Sequence, residues 1–238
     1  LIQKSGQKTL TVAVDGPSER MRRVINKQAS DDFIVEKCKF LTEKGILHLK
    51  IYSIIGLPGE TDEDIDHFIS LVERVMKAYI ATCSERGNIG QVTIGLSPLI
   101  PKPGTPFQWH PMESVRSLKK KFMRIRKALG RLPHIKLSFG SPNEAYLQTY
   151  LSRGDRRVLS FFKTYLANGH NEKKALIESS PSADSFVYRQ YGKDDILPWD
   201  VVDHGYKNDF LWSDYQRGLK EGVTPVCDTA VCKICGIC

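Results

Sequence analysis

Four short apolar runs, rich in Val, Ile and Leu, occur in the first 140 residues of the chain, and segments of helical periodicity separate them. Near-continuous apolar runs of this length predict strands that are buried in a sheet. They lie at residues 10–14, 47–55, 92–97 and 135–139. Because strands and helices alternate over connections long enough for a crossover helix, the pattern predicts an α/β fold of parallel strands covered by helices.

Two of the predicted helices have recognisable first residues. Ser30 can cap one helix, and Asp31 and Asp32 follow it at the end where the helix dipole favours negative charge. Thr61 and Asp64 have the spacing of a capping box, and apolar residues at helical intervals follow them. We therefore expect helices to begin at both places.

The alternation of strands and helices ends near residue 140. Helical patterns then occur at residues 142–152, 155–168 and 207–220, and residues 192–205 are irregular. We predict three parts, namely an α/β domain over residues 1–140, a mostly helical extension over 141–222 and a cysteine-rich tail over 223–238.

The composition is typical of a globular protein, with 41% hydrophobic and 26% charged residues among 238. No apolar run approaches the roughly 20 residues that a membrane-spanning helix needs. The first residues, 1–6, lack Met and have neither the apolar core of a signal peptide nor the Arg-rich character of a transit peptide. We expect a cytoplasmic protein without a membrane partner, whose upstream half lies outside this sequence.

The net charge of +8 is concentrated in one predicted helix. Residues 113–131 contain eight Lys or Arg residues and one acidic residue, Glu113, together with an apolar stripe that can dock on the sheet. A charged outer face is usually just solvated, but this excess can also attract a phosphate-rich partner such as RNA. The sequence has no RNP motif or zinc finger that would strengthen the RNA interpretation.

Four of the six cysteines lie in the last twelve residues, at Cys227, Cys232, Cys235 and Cys238. Disulfide-rich domains disperse their cysteines, whereas a cluster with two-residue gaps indicates a metal. Four thiolates suit zinc or an iron–sulfur cluster, and the first three cysteines have the C-x4-C-x2-C spacing of plant-type ferredoxins. We predict a metal site that favours iron–sulfur over zinc. An unliganded, redox-sensitive tail is the alternative.

Three other residues could take part in chemistry, but each has an ordinary structural explanation. Cys38 lies on an apolar helix face and is predicted to be a buried structural thiol. Cys83 is predicted to lie in a polar connection without a chemical role. His110 follows a proline-rich segment and can line a cavity, although ordinary hydrogen bonding explains it as well.

The segment Gly56-Leu57-Pro58-Gly59-Glu60-Thr61 connects a predicted strand to a predicted helix. Ligands of parallel α/β proteins bind beyond the carboxyl ends of the strands, where glycine permits close approach and a helix N-terminus favours an anion. A tight turn followed by a good helix cap explains the same residues equally well.

Three segments in order carry a resemblance to a known family. Residues 51–64 closely resemble the fifth-strand signature of radical S-adenosylmethionine (SAM) enzymes, especially the methylthiotransferase-like and cobalamin-associated branches. Residues 10–27 resemble the fourth strand with its helix, and residues 96–109 resemble the sixth strand with its exit loop. The segment 197–200 and the four terminal cysteines are similar to the end of an uncharacterised subfamily whose barrel follows a cobalamin-binding-like domain. The resemblance implies the C-terminal part of a partial (β/α) barrel with outer helices.

The resemblance also implies residues that bind SAM. Asp15 stands where the subfamily usually has Glu, and would hydrogen-bond the ribose or the amino group. Arg20 stands where a basic residue can pair with the methionine carboxylate, although a solvated helix arginine is the alternative. Ile54 and Ile55 resemble the strand that holds the adenine. The full set of implied cofactor-binding residues is Asp15, Ser18, Arg20, Ile54, Ile55, Gly56, Leu99 and Ile100.

The family's C-x3-C-x2-C motif, which binds a [4Fe–4S] cluster, does not occur in this sequence. Its cysteines would lie upstream, so the resemblance implies a fragment that cannot cleave SAM by itself and that contains no catalytic residue. In the whole enzyme the cluster would reduce SAM to release a 5′-deoxyadenosyl radical, which abstracts hydrogen from an unidentified substrate. A non-catalytic module that binds metal and nucleic acid is the alternative from a different class.

Overall fold

The structure is a computed structural model that describes residues 5–203 and 205–237. The chain divides into two compact units. The first unit comprises Leu1–Pro98, Arg116–Ser141 and Gly218–Val223, and the second comprises Leu99–Val115, Pro142–Arg217 and Thr224–Cys238. The predicted domain boundaries at residues 140 and 222 stay predictions, because a compact unit is not necessarily a domain that folds alone.

A single four-stranded sheet forms the centre of the first unit. Its strands are β1 (Thr9–Asp15), β2 (His48–Ile55), β3 (Gln91–Pro98) and β4 (Ile135–Phe139). They are all parallel and are adjacent in sequence order. The intervening helices are α1 (Glu19–Val24), α2 (Asp31–Glu43), α3 (Asp62–Glu85) and α4 (Val115–Leu129). The α/β class is therefore confirmed, and four sequential parallel strands with helices between them are consistent with part of a barrel.

The predicted caps begin the helices α2 and α3. The Ser30 hydroxyl accepts a hydrogen bond from the Phe33 backbone N–H at 3.1 Å. At the start of α3, the Asp64 carboxylate accepts from the Thr61 backbone N–H at 2.8 Å, as in the predicted capping box. Both contacts satisfy N–H groups that have no partner inside the helix.

One face of the sheet is packed and the other is open. On β2, burial alternates along the strand, and the buried positions are Leu49, Ile51, Ser53 and Ile55. Helices cover this face. The Tyr79 hydroxyl of α3 donates to the Leu47 carbonyl oxygen at 2.7 Å, and the Phe122 ring of α4 lies 5.1 Å from the Phe139 ring of β4. Most of the alternate positions on the four strands are exposed or half-exposed.

The second unit is mostly helical. It contains α5 (Pro142–Arg153), α6 (Leu159–Ala167), α7 (Glu172–Glu178), α8 (Asp184–Val187) and most of α9 (Asn208–Leu219), with short 3-10 helices at Pro106–Trp109 and Arg156–Val158. The sequence patterns missed α7 and α8, which are only seven and four residues long. An aromatic cluster that includes Trp109, Tyr191 and Tyr215 forms part of its core. Among the described residues, no helix has the length and apolar character needed to cross a membrane.

Candidate functional site

The carboxyl ends of three strands meet at one edge of the sheet. Because β1, β2 and β3 are parallel, the end of each strand lies beside the end of its neighbour. Asp15 pairs in register with Ser53, and Ile55 pairs with Pro98. We call this edge, formed by Asp15, Ile54, Ile55, Gly56 and Pro98, the carboxyl edge. It brings together the strand ends of the three segments that carry the resemblance.

Asp15 ends β1 in an unusual backbone conformation. Its φ angle is +64°, and the pairing with β2 shifts between Ala13 and Asp15, as in a β-bulge. The Lys27 ammonium forms an ion pair with the Asp15 carboxylate and also donates to the Ala13 carbonyl oxygen. The Asp15 side chain is 35% exposed, so a ligand can reach it by competing with Lys27.

The loop after Asp15 is held by an arginine that the sequence analysis missed. The Arg22 side chain is fully buried, and its guanidinium donates to the carbonyl oxygens of Ala29 at 2.6 Å and Gly16 at 3.3 Å. It also forms an ion pair with Asp31. A Cβ atom on Gly16 would lie 2.8 Å from the Arg22 backbone nitrogen, so only glycine fits there. No sequence pattern distinguishes Arg22 from its half-buried neighbours Arg20 and Arg23.

Ser18 and Arg20 both contact one buried carboxylate. The Ser18 hydroxyl donates to Asp64 Oδ1 at 2.6 Å, and Arg20 forms an ion pair with the other Asp64 oxygen. Arg20 also donates to the Gly59 carbonyl oxygen at 2.9 Å and to Glu221 at 3.3 Å. The guanidinium that we expected to pair with a methionine carboxylate is therefore already bound to two carboxylates of the same unit.

The charge of Asp64 is stabilised by these contacts. Burial alone would raise the pKa of this carboxyl, because the side chain is only 4% exposed. Hydrogen bonds from Ser18 and the Thr61 backbone, together with the Arg20 guanidinium, outweigh burial and lower the pKa below its ordinary value. Asp64 is therefore a structural anion that joins α1 to α3.

A polar cavity lies beside this network. Its volume is about 470 Å³, and the first residues of α1 and α3 line it, including Arg20, Arg23, Glu63 and His67. Its volume falls in the range of small-molecule sites. Of the residues predicted to bind SAM, only Ser18 and Arg20 line it.

Ile54 and Ile55 have opposite environments at the end of β2. The Ile55 side chain is fully buried in the core, so only its backbone is available to a ligand. Ile54 is half-buried on the open face. The resemblance implies the same role for both residues, although the alternation along a strand requires their environments to differ.

A buried ion pair shapes the turn after β2, and no local sequence pattern indicates it. The Gly56 backbone N–H, in a residue with φ of +88°, donates to both Glu60 carboxylate oxygens at 3.0 Å, and the Leu57 N–H donates at 3.3 Å. The Lys121 ammonium of α4 binds the same carboxylate at 2.8 Å. The side chains of Glu60 and Lys121 are 0% and 7% exposed. The glycine turn is thus fixed from the core side.

Leu99 and Ile100 follow Pro98 directly but belong to the second unit. Leu99 is buried and Ile100 is half-buried. Their role beside a nucleoside stays a prediction, as do the roles of the other implied SAM-binding residues.

Three of the tail cysteines line one small cavity. Cys227, Cys232 and Cys235 surround a volume of about 140 Å³ together with mainly apolar neighbours, and Cys238 lies outside the described residues. In the described part of the chain, no three His, Cys, Asp or Glu side chains come close enough to hold a metal ion. The thiol donor set suits zinc or iron–sulfur chemistry, and the metal site stays a prediction.

The remaining chemical candidates have structural roles. Cys38 is fully buried as predicted, and burial raises the pKa of its thiol to about 11. The placement of Cys83 in a polar connection is wrong, since it lies inside α3 and is fully buried. His110 Nδ1 lies 3.0 Å from the Tyr215 hydroxyl oxygen, and burial, with a smaller contribution from Arg153, lowers the pKa of this histidine to about 4. His110 is therefore neutral and hydrogen-bonded at pH 7.

Comparison with known proteins gives one family and one relative. Residues 1–72 match the family model of the Radical SAM superfamily. The chain is also 35% identical over 154 residues to a protein of Methanocaldococcus jannaschii that is described only as uncharacterised. This match covers 65% of the chain and 32% of the relative, so the chain spans about a third of that protein's length. No solved structure matches the chain significantly.

Proposed function

We propose that this chain is a member of the radical SAM superfamily and forms part of an iron–sulfur enzyme that cleaves SAM and uses the resulting radical on an unidentified substrate. The family match over residues 1–72 carries the proposal. That stretch contains β1, β2 and the two loops at the carboxyl edge. The substrate and the outcome of hydrogen abstraction belong to the whole protein.

In this proposal the carboxyl edge forms one wall of the SAM site. The half-exposed carboxylate of Asp15 is suited to accept hydrogen bonds from ribose hydroxyls or from the amino group. Ile54 offers an apolar side chain on the open face, and the backbone of Ile55 and Gly56 continues this wall. When bound beside a reduced cluster, SAM supplies a 5′-deoxyadenosyl radical. The residues of this chain bind SAM and orient it.

The residues of this chain do not fit the family's own cluster. The C-x3-C-x2-C motif is absent from the sequence, so the three thiolates must come from an upstream segment, on the same or on a separate polypeptide. SAM cleavage therefore requires that segment, and the isolated chain is expected to be inactive. We also propose a cytoplasmic location, because cysteines clustered with two-residue gaps are typical of a metal site, whereas secreted disulfide domains disperse their cysteines.

The test uses the full-length protein with its upstream segment, reconstituted anaerobically with iron and sulfide. After reduction with dithionite in the presence of SAM, 5′-deoxyadenosine should form and be detectable by liquid chromatography. Asp15→Asn should weaken SAM binding about 10-fold, because a charge-assisted hydrogen bond is lost. Asp194→Asn, at an exposed position, is the matched control. Absence of 5′-deoxyadenosine from the clustered, full-length protein would show that the proposed function is wrong.

We further propose that the tail cysteines hold an auxiliary iron–sulfur cluster, with zinc as the alternative occupant. The support is that three thiols already line one cavity and that Cys238 is three residues beyond Cys235. Because the isolated chain lacks the upstream motif, any iron–sulfur signal that it acquires must come from its own cysteines. Anaerobic reconstitution followed by electron paramagnetic resonance and metal analysis therefore separates iron from zinc.

The expected result is a cluster signal that Cys232→Ser and Cys235→Ser each abolish. Cys38→Ala is the matched control, since this thiol is fully buried in the first unit and should not affect metal content. A stoichiometric zinc content would identify zinc instead. A chain that binds neither metal would contradict this part of the proposal and favour an unliganded tail.

The alternative module that binds nucleic acid depends on the positive charge of α4, part of which is neutralised by ion pairs. Within the basic helix α4, Lys121 is buried against Glu60, and Arg124 pairs with Asp62 and Asp66. These contacts reduce the positive charge that phosphate groups would meet. RNA binding stays an untested prediction.

A further inference from the structure

The open face of the sheet carries two rows of side chains in lateral register. Residues that pair across parallel strands and lie two apart along each strand share one face. The first row consists of Thr11, Lys50, Thr93 and Lys136. The second consists of Ala13, Tyr52, Gly95 and Ser138. Except for Gly95, all of these residues are exposed or half-exposed.

The composition of these rows does not suit a packed interior. Parallel sheets normally have both faces covered, and the interior of a closed barrel is filled by bulky branched side chains. The two rows instead contain small residues, hydroxyl groups and two lysines. Burying an unpaired ammonium group costs several kcal/mol, so an apolar layer over this face would be unfavourable. The face is therefore suited to border a space that holds solvent or a polar ligand.

The charge of this face is positive. Lys50 and Lys136 lie two strands apart, which separates their backbones by about 10 Å. Their flexible stems allow both ammonium groups to approach an anion placed over Thr93 between them. Within the described part of the chain, neither ammonium group has a hydrogen bond or an ion pair. The acidic residue nearest in the strands is Asp15, and it is paired with Lys27.

An aromatic ring lies next to the lysines. The Tyr52 side chain is on the same face and the residue is 43% exposed. Its ring lies over Gly95 of the neighbouring strand, and a Cβ atom built on Gly95 would overlap it. The ring thus rests on the backbone of β3 on one side and is accessible from the other. An aromatic surface of this kind binds planar rings by stacking.

We propose that the open face binds the substrate, and that the substrate is an anion that carries a planar ring. Lys50 and Lys136 bind the phosphate or carboxylate group, Thr93 donates a hydroxyl hydrogen bond, and Tyr52 stacks on the ring. The identification of this ligand as the substrate rests on the proposed function. The binding itself requires neither SAM nor a cluster.

The test is a titration of the 238-residue chain, followed by amide chemical shifts and by calorimetry. Phenyl phosphate is the main probe, with benzoate, inorganic phosphate and phenol as comparison probes. Phenyl phosphate should shift amide resonances in β2, β3 and β4, and Lys50→Gln and Lys136→Gln should each lower the affinity for it about 10-fold. Tyr52→Ala should lower the affinity for phenyl phosphate but not that for inorganic phosphate. Comparing phenyl phosphate with benzoate distinguishes a phosphate from a carboxylate ligand.

Lys119→Gln is the matched control, because this exposed lysine of α4 carries the same charge on a different element. If Lys119→Gln weakens phenyl phosphate as much as Lys50→Gln does, the binding is general attraction to a basic protein and the inference is wrong. The inference is also wrong if phenol binds as tightly as phenyl phosphate, or if phenyl phosphate does not bind at all. After any of these outcomes, formation of 5′-deoxyadenosine by the full-length protein would still support the proposed function.

Discussion

Replacing Lys121 by Met is the sharpest test of how the carboxyl edge is held in place. The substitution keeps most of the apolar stem of the side chain and removes the ammonium group that binds Glu60 at 2.8 Å. The Glu60 carboxylate then retains its hydrogen bonds from the backbone of Gly56 and Leu57 but loses this cation. Its side chain is 0% exposed, so solvent cannot replace the lost charge.

The expected cost follows from this burial. Removing one partner of a buried ion pair costs about 3–5 kcal/mol, because the remaining charge is left uncompensated in a medium of low polarity. Backbone donors to Glu60 offset part of this cost, so we expect Lys121→Met to lower the free energy of unfolding by about 3 kcal/mol. The double variant Glu60→Gln with Lys121→Met removes both charges and should be less destabilised than Lys121→Met alone.

The measurement is denaturant unfolding followed by far-ultraviolet circular dichroism. Tryptophan fluorescence is unsuitable for this purpose, because Trp109, Trp199 and Trp212 all lie in the second unit. Hydrogen exchange of peptides that cover residues 56–64 then localises the change. Lys119→Met, in the same helix but exposed, is the control and should change stability by less than about 0.5 kcal/mol.

Two results would refute this reasoning. One is a Lys121→Met variant whose stability equals that of Lys119→Met. The other is a double variant that is less stable than Lys121→Met, since it would show that the charge of Glu60 stabilises the turn without its lysine.

Three further predictions concern the same unit. Asp64→Asn should lower the free energy of unfolding by about 2 kcal/mol at pH 7. Because folding lowers the pKa of Asp64, this loss should persist above about pH 4 and shrink as the pH falls further. A loss of stability that does not depend on pH would contradict this prediction. Gly95→Ala should destabilise the chain by about 1–3 kcal/mol through overlap with the Tyr52 ring, and Tyr52→Ala should remove most of that cost in the double variant, as measured by denaturant unfolding. The outer strands β1 and β4 each leave an edge without a strand partner among the described residues, so sedimentation should show concentration-dependent association, and a clean monomer at high concentration would count against it.

The strands could be predicted from sequence because their apolar runs are local signals. All four begin and end within one residue of the apolar runs at residues 10–14, 47–55, 92–97 and 135–139. The parallel pairing also followed, since the connections are long enough for crossover helices. The short helices α7 and α8 were missed because they span too few turns to establish a helical period.

The candidate site could be predicted only in part. The resemblance identified the segments whose strands end at the carboxyl edge. It did not show that Arg20 forms an ion pair with Asp64, or that Lys121 and Glu60 stabilise the turn after β2. These partners are 44 and 61 residues apart in sequence, so no local pattern joins them. The two lysines of the open face were missed for the same reason, because Lys50 and Lys136 become neighbours only through the register of three strands.

The left-handed backbone of Asp15 has a consequence for how this position responds to selection. Residues other than glycine are strained in this region of φ and ψ, Asp and Asn least and β-branched residues most. A randomised library at position 15 that is screened for thermal resistance alone should therefore yield glycine. The same library screened for turnover by the full-length protein should return an acidic residue. The residue selected at position 15 would therefore differ between selection for stability and selection for activity.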